Sequence, residues 1–420
     1  MSISSNTAAI DFTPTRVTLA QRPARNINQG VATAALVLFA VGGVYLANTV
    51  HWRQAVLFLV GGGFGVILYH AAFGFTSSWR VLISDRRGAG VRAQMMMLAI
   101  ACLLFFPILE SGTPLFTETV RGNVNPIGIS VVVGAFLFGL GMQLGGACAS
   151  GTLFHVGGGN TRLFVTLFFF IVGSAIGAAH APWWQALPRF EPISLVETFG
   201  AWSALGFNFA VFGVIAFGTV VLERRRHGQL ITDPASSQQG WSRFLRGPWP
   251  YLAGAVGLAV ANFLTLAFAG RPWGITSGFA LWGSKTAAMI GFDPASWVYW
   301  SSPSRAASLT SSVMQDTTSV MDFGLLLGAL LASGLAGRFK PVWTTSRRSL
   351  IAAIGGGLLL GYGARLAYGC NIGAYFSGVA SGSVHGWLWL VAAFAGTILG
   401  TRLRPVFGML VEHTKTSNQS

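Results

Sequence analysis

Apolar runs of about twenty residues recur along the whole chain with short polar segments between them, near positions 30–50, 54–73, 90–110, 126–146, 162–182, 200–222, 250–269, 318–337, 349–368 and 386–403. Each is long enough to cross roughly 30 Å of hydrocarbon as a helix, so the pattern predicts an all-α polytopic membrane protein with about ten spans. One stretch disturbs it. Residues 141–160, GMQLGGACASGTLFHVGGGN, end an apolar run with seven glycines, a cysteine, a histidine and an asparagine. Broken backbone at membrane depth is tolerated only where it is buried in protein or lines a polar cavity. The segment therefore predicts a re-entrant element on a functional path.

The disturbance occurs twice. GGLLLGYGARLAYGCNIGAYF, from Gly356 to Phe376, aligns with GAFLFGLGMQLGGACASGTLF, from Gly134 to Phe154, with eight of 21 positions identical, among them Cys148 with Cys370 and Gly151 with Gly373. In each half the following span carries a small-xxx-small step suited to close helix packing, Gly173 to Gly177 and Gly396 to Gly400. A second pair precedes these, FGFTSSW from Phe73 to Trp79 and WGITSGF from Trp273 to Phe279. Five spans separate the members of each pair, an odd number, so the halves are expected to insert with opposite orientation as an inverted-topology repeat. Such transporters hold their site at the repeat interface. Thr76, Ser77, Thr276 and Ser277 are residue types that cap helices restarting after a break, here after Gly74 and Gly274. Four half-helix amino termini aimed inward make an anion site without a lysine, because each carries free N–H groups and about half an elementary charge.

Composition supports the membrane reading. The chain is 52% hydrophobic and 9% charged, with a mean hydropathy of +0.59, which excludes an ordinary soluble domain. A net charge of +15 raises the possibility of a nucleic-acid partner, but the basic residues follow the spans. With the amino terminus inside, the outer segments hold only Arg53, Arg121, Arg189, Arg271, Lys285 and Arg305. The inner segments hold most of the rest, including Arg80, Arg86, Arg87, Arg92, Arg162, Arg224–Arg226, Arg347, Arg348, Arg402 and Arg404. The positive-inside rule selects both termini cytoplasmic in a cytoplasmic (inner) membrane and makes a nucleic-acid partner unnecessary. The expected organisation is a disordered tail over 1–29 without a signal peptide, a first transmembrane half over 30–222 and a basic linker over 223–247. A second half over 248–405 and a cytoplasmic tail over 406–420 complete it. Cys102, Cys148 and Cys370 form no CxxC pair and no zinc spacing, so neither a disulfide framework, a metal nor a cofactor is expected.

The stretches GACASGTLFHVGGGN and GARLAYGCNIGAYFSGVASGSVHGW, with GFTSSWR and WGITSGF, resemble the signature segments of the YeeE/YedE family of sulfur-transport membrane proteins, over about residues 55–405. The resemblance implies a transporter of a small sulfur oxyanion, in the better-understood members thiosulfate, passed inward by contacts between cysteine SH groups and its terminal sulfur. Other members are linked to selenium metabolism. Carried onto this chain, Cys148 becomes the central thiol and Cys370 the outer one. Gly146, Ser150, Gly151, Gly369 and Gly373 lie beside them on the expected path. The chain departs from the family at Gly74, where members often have a third cysteine.

Cys102, in the run LAIACLLFF, reads as a small buried hydrophobe. Arg365 lies one turn before Cys370; an intramembrane arginine is costly and reads either as an attractor of anions or as a side chain snorkelling to the surface. His155, Asn160 and Asn371 read as substrate contacts or as caps of loop backbone, and His385 with Trp387 and Trp389 as an interfacial belt. Asp322, near an outer span end, is the nearest case of an acid within a span, so no carboxylate proton relay is evident. The basic tracts over 224–246 and 338–348 read as solvated inner loops, where a cytoplasmic sulfur-carrier protein of the TusA type has room to dock. Two other classes fit the residues: a membrane thiol oxidoreductase or sulfurtransferase, which normally needs a resolving cysteine or quinone pocket, and a passive anion channel, which needs no thiol.

Overall fold

A computed structural model describes residues 26–231, 240–341 and 345–412. Most of the expected amino-terminal tail, the middle of the 223–247 linker and the end of the carboxy-terminal tail lie outside these residues. The chain is a helical bundle with ten helical stretches long and apolar enough to cross a membrane, each coinciding with an apolar run of the sequence. The principal helices are α1 (Gln29–Thr49), α2 (Trp52–Ala71), α3 (Phe75–Asp85), α4 (Ala89–Ser111), α5 (Ile129–Gly145), α6 (Ala149–Gly157) and α7 (Thr161–Ala179). They continue as α8 (Ala201–His227), α9 (Tyr251–Ala269), α10 (Thr276–Met289), α11 (Thr317–Leu335), α12 (Arg347–Leu366) and α13 (Val384–Leu403). A π-helical turn, Asn371–Phe376, running into Ser377–Ala380, lies between the last two. Strand β1 (Ile127–Gly128) pairs antiparallel with β2 (Arg189–Phe190).

Polar residues at the span edges start the long helices: the side chains of Asn28, Asn160, Asp316 and Ser346 accept from backbone N–H groups in the first turns of α1, α7, α11 and α12. Asn160 is thereby a cap. Small residues then decide which helices meet, because apolar burial does not drive association within lipid. A Cβ on Gly139 of α5 would strike the Ala393 carbonyl of α13, and one on Gly396 would strike the Phe136 carbonyl of α5. Gly61 and Gly65 of α2 stand in the same relation to Met321 and Leu325 of α11, and Gly173 and Gly361 mark the crossing of α7 and α12. The resulting pairs are α7 with α12, α5 with α13, α5 with α12, α2 with α11, α4 with α9 and α2 with α9. Helices α1 and α8 lie at the periphery against α11 and α4, and their exposed Leu36, Val41, Phe207 and Phe217 present apolar faces suited to lipid.

Two expectations about charge change here. Helix α8 runs through Arg224–Arg226 to His227, and α12 begins at Arg347, so parts of both basic tracts are helix and not loop. Arg80, Arg162 and Arg404, counted among loop charges from sequence, are buried. Arg162 and Arg404 serve the carboxyl end of α5, whose last carbonyls lose their helical partners where the chain breaks at Gly146. Arg162 donates to Leu144 O and Gly145 O at 2.8 and 2.7 Å, and Arg404 donates to Gln143 O at 2.8 Å.

Candidate functional site

Both cysteine segments break in the same way. Helix α5 ends at Gly146, whose φ of 100° a Cβ would strain, and Cys148 then stands in extended backbone as the residue before α6. Helix α12 ends beside Gly369, with φ of 150°, and Cys370 stands in extended backbone as the residue before the π turn. Each cysteine carbonyl accepts from the first turn it precedes, Cys148 O from Thr152 N and Cys370 O from Ala374 N, both at 2.8 Å. The thiols are 2% and 0% exposed, and α6 packs against the π turn. Cys148 Sγ lies 3.5 Å from Ser150 Oγ, and a Cβ at Gly151 would come within 3.4 Å of the same sulfur. A short helix start thus brings its free N–H groups beside each thiol.

The other two breaks supply the facing segments, but their hydroxyls do not cap them. Gly74 is the residue before α3 and Ile275 the residue before α10, with no side-chain cap at either. The helices begin early enough that Thr76, Ser77, Thr276 and Ser277 fall inside the first turn, which corrects the capping expectation and leaves these hydroxyls to other partners. Ser77 and Ser78 donate to Gly74 O at 3.3 and 2.7 Å. Thr76 Oγ1 makes no hydrogen bond, and the Cys148 thiol is its neighbour. Thr276 Oγ1 accepts from Arg365 Nη2 at 2.5 Å, while Ser277 reaches Thr318 at 3.0 Å. A Cβ on Gly274 would meet open space, and one on Gly373 would point to Gly274 Cα at 3.9 Å, so the break before α10 and the π turn adjoin.

The half-buried Arg365 guanidinium also donates to Tyr299 Oη at 2.6 Å, and its Nε is buried without a partner. Gln143, at the matching place in the first cysteine segment, donates to Thr76 O at 3.0 Å. His155 lies at the far end of α6 with its ring 4.2 Å from that of Phe154, and Asn160 is occupied in capping, so neither joins the thiols. His385 and Trp389 are buried, the first bonded to Ser383 and the second to Gly369 O, and Trp387 donates to Asn208. These bonds replace the expected interfacial belt. Cys102 is buried with its thiol 3.6 Å from Val379 O.

Several buried polar atoms around the breaks have no hydrogen-bond partner: Thr76 Oγ1, both side-chain polar atoms of Asn371, Tyr375 Oη and Trp273 Nε1. Unsatisfied buried polar atoms are costly and rare, and these leave hydrogen-bonding capacity open around the breaks. Asn371 was expected at the site; Tyr375 and Trp273 were not among the expected site residues. Asp322 on α11, 0% exposed, likewise has two carboxylate oxygens without a hydrogen bond and faces Gly278 of α10, deeper than its position in the sequence suggested. Beyond the π turn, Asn123 donates through its side-chain amide to Gly373 O at 2.6 Å and through its backbone N–H to Ser381 Oγ at 2.9 Å, so the loop after α4 covers this end. Among the described residues no group of three His, Cys, Asp or Glu is placed to hold a metal.

The arrangement can bind a small anion by helix-start N–H groups, neutral hydroxyls and amides, with two SH groups for a soft atom. Comparison with known proteins points the same way. The chain is 27% identical to the thiosulfate transporter TsuA of Spirochaeta thermophila, over 79% of this chain and 92% of that protein. It is 24% identical to the thiosulfate transporter TsuA of Escherichia coli, over 80% and 91%. A shorter match, 29% identical over 41% of this chain and 42% of the relative, is to the probable transporter YedE of Escherichia coli. Residues 70–399, which hold all four breaks and both thiols, match the sulphur-transport family, and the chain belongs to that family.

Proposed function

We propose that the protein imports a small sulfur oxyanion, thiosulfate first, across a cytoplasmic membrane along a path between the four helix breaks. The observation that carries this reading is the pairing of a buried thiol with a helix start in two segments that pack together, amid polar atoms lacking partners. Thiosulfate presents oxygens to helix-start N–H groups and a soft terminal sulfur to an SH donor; sulfate presents oxygens alone. The neutral SH form serves transport, because a thiolate would repel the dianion at close range in a medium of low dielectric. Thr76, Asn371 and Tyr375 replace part of the hydration that the anion sheds, and Arg365 raises its concentration at the outer mouth.

The path lies between two inverted halves; α8, which the sequence reading placed in the first half over 30–222, is grouped with the second, so that the halves are α1–α7 and α8–α13. Reciprocal packing supports this: α7 with α12 is matched by α13 with α5, α2 with α11 by α9 with α4, and α1 with α11 by α8 with α4. Gly177 packs on Arg365 as Gly400 packs on Gln143, and those two side chains reach Thr276 and Thr76. Both termini are cytoplasmic, and a sulfur-carrier protein of the TusA type takes the delivered sulfur there.

The test is growth and uptake. Cells unable to make cysteine from sulfate but carrying this protein should grow on micromolar thiosulfate (about the usual range of half-saturation). Cys148→Ala should abolish that growth, Cys370→Ala should weaken it and Cys102→Ala should leave it nearly unchanged. Entry of selenite or another sulfur species in place of labelled thiosulfate would keep transport and change the substrate. No entry, with the two thiols exchanging with a carrier protein, would replace transport by an oxidoreductase.

A further inference from the structure

After α13 the chain turns back under the bundle. Met409 N donates to Arg404 O at 3.1 Å, Arg404 Nε donates to Leu410 O at 2.9 Å, and Arg162 Nη2 reaches Met409 Sδ at 3.4 Å. This strap delivers the Glu412 carboxylate to Arg80 on α3, which it meets with both oxygens, Nε to Oε2 at 2.7 Å and Nη2 to Oε1 at 2.6 Å. The remaining Arg80 nitrogen, Nη1, lies 3.4 Å from Gln143 Oε1, and the same Gln143 side chain donates to Thr76 O in the first turn of α3. One side chain therefore connects the Arg80 fork with the break that faces Cys148.

The two partners differ in exposure: the Arg80 side chain is 1% exposed and that of Glu412 16%. A buried guanidinium needs an anion beside it, and removing its partner without replacement is strongly destabilising. The carboxylate, by contrast, hangs on a segment in which Gly408 and Leu410 are exposed, so it can swing into water. Burial acts to raise the Glu412 carboxyl, but the charge and hydrogen bonds of Arg80 outweigh it and hold the group below the ordinary carboxylate range. A two-pronged guanidinium accepts carboxylate and tetrahedral oxyanions with the same geometry.

We propose that Arg80 is an oxyanion-binding position at the exit end of the path, occupied between transport events by the Glu412 carboxylate, which an arriving oxyanion displaces. The Glu412 strap is then a built-in competitor: it keeps the Arg80 charge satisfied when no anion is present and leaves when one arrives. This rests on the transport reading for its biological meaning, but the displacement can be measured without transport.

The experiment places a reporter next to the carboxylate. In detergent-solubilised full-length protein carrying Val411→Cys, the rate of maleimide attachment at position 411, located by peptide mass, is followed with and without thiosulfate, with sulfate as a second oxyanion and chloride as ionic-strength control. The three native cysteines are buried. Either oxyanion should raise the rate severalfold over chloride, and in Arg80→Gln the rate should be high throughout and indifferent to the anion. In vesicles, Glu412→Gln should lower the half-saturating thiosulfate concentration severalfold. Labelling at 411 that ignores both oxyanions, or a Glu412→Gln protein with unaltered half-saturation, overturns the inference and leaves the pair a staple for the tail. If wild-type vesicles take up no thiosulfate yet labelling still answers to oxyanion, the Arg80 site stands and the transport reading falls.

Discussion

At the scale of single residues, the proposed site rests on side chains with buried polar atoms that no other protein group satisfies. Arg365 shows how this can be tested. It is tied to Tyr299 and Thr276 by two prongs of its fork, while Nε has no protein partner. If it draws anions to the Cys370 end, Arg365→Gln should raise the half-saturating substrate concentration severalfold while changing maximal flux little. Arg365→Lys should rescue it only in part, since the shorter ammonium lacks the rigid planar fork whose two prongs reach the two hydroxyls. Equal kinetics with a lowered melting temperature would make Arg365 a packing residue. Gly74 offers a second test, because the family often has a thiol there. A Cβ at Gly74 would come within 2.7 Å of Ser77 Oγ, a contact that rotation of the small Ser77 side chain can relieve. Gly74→Cys combined with Ser77→Ala should therefore fold and take up thiosulfate at least as fast as the parent. Loss of uptake in a well-folded double variant would show that the two-thiol path does not tolerate a third.

At the scale of elements, what was legible in the sequence was set by what is local. Ten spans follow from run length and the breaks at Gly146 and Gly369 from glycine-rich stretches in apolar runs, signals that lie within a few residues, while those at Gly74 and Gly274 follow from the repeated aromatic, Gly, apolar, Thr, Ser pattern. The burial of Arg80, Arg162 and Arg404 was not legible. The carbonyls of Gln143, Leu144 and Gly145 that two of them serve belong to a helix end brought to them by tertiary packing, and in Arg404 the donor is separated from its acceptor by most of the chain. The hydroxyls after Gly74 and Gly274 misled for a related reason: a cap depends on where a helix starts, and a shift of one or two residues turns a cap into a first-turn side chain. The helix crossings were partly legible, since the Gly173/Gly177 and Gly396/Gly400 steps named two of the contact faces. Their energetics give a prediction. Gly139 and Gly396 each meet backbone carbonyl across the α5–α13 crossing, where no side chain can yield. Gly139→Val or Gly396→Val should cost about 3 kcal/mol or more, a large share of ordinary stability. Protein yield after detergent extraction should fall sharply, whereas Gly213→Val, at a position with open space, should extract like the parent.

At the scale of the whole molecule, packing and charge make separate statements about orientation. The start of α4 meets the end of α8: Glu223 accepts from Gly88 N at 3.1 Å and from Arg92 at 2.7 Å, and His227 approaches Asp85 O at 2.7 Å. The end of α4 meets the start of α8, where Ala201 N donates to Glu110 at 2.7 Å. Residues 85–92 and 223–227 therefore share one end of the bundle whatever the membrane does. That end carries Arg86, Arg87, Arg92 and Arg224–Arg226, and on the proposed orientation, which follows the positive-inside rule, it faces the cytoplasm. The loops containing Asp293 and Arg305, beside the Tyr299 that holds Arg365, belong to the other end on the inverted-repeat reading. In intact spheroplasts treated with a membrane-impermeant maleimide, Asp293→Cys and Arg305→Cys should label, while Arg86→Cys and Arg225→Cys should label only after the membrane is opened. The two kinds of failure have different meanings. If Arg86→Cys and Arg225→Cys both label from outside, the bundle stands and its orientation is reversed, which would turn the Arg80 end into an entrance. If one labels from outside and the other does not, the pairing of α4 with α8 is wrong, and the reciprocal packing that supports two inverted halves goes with it.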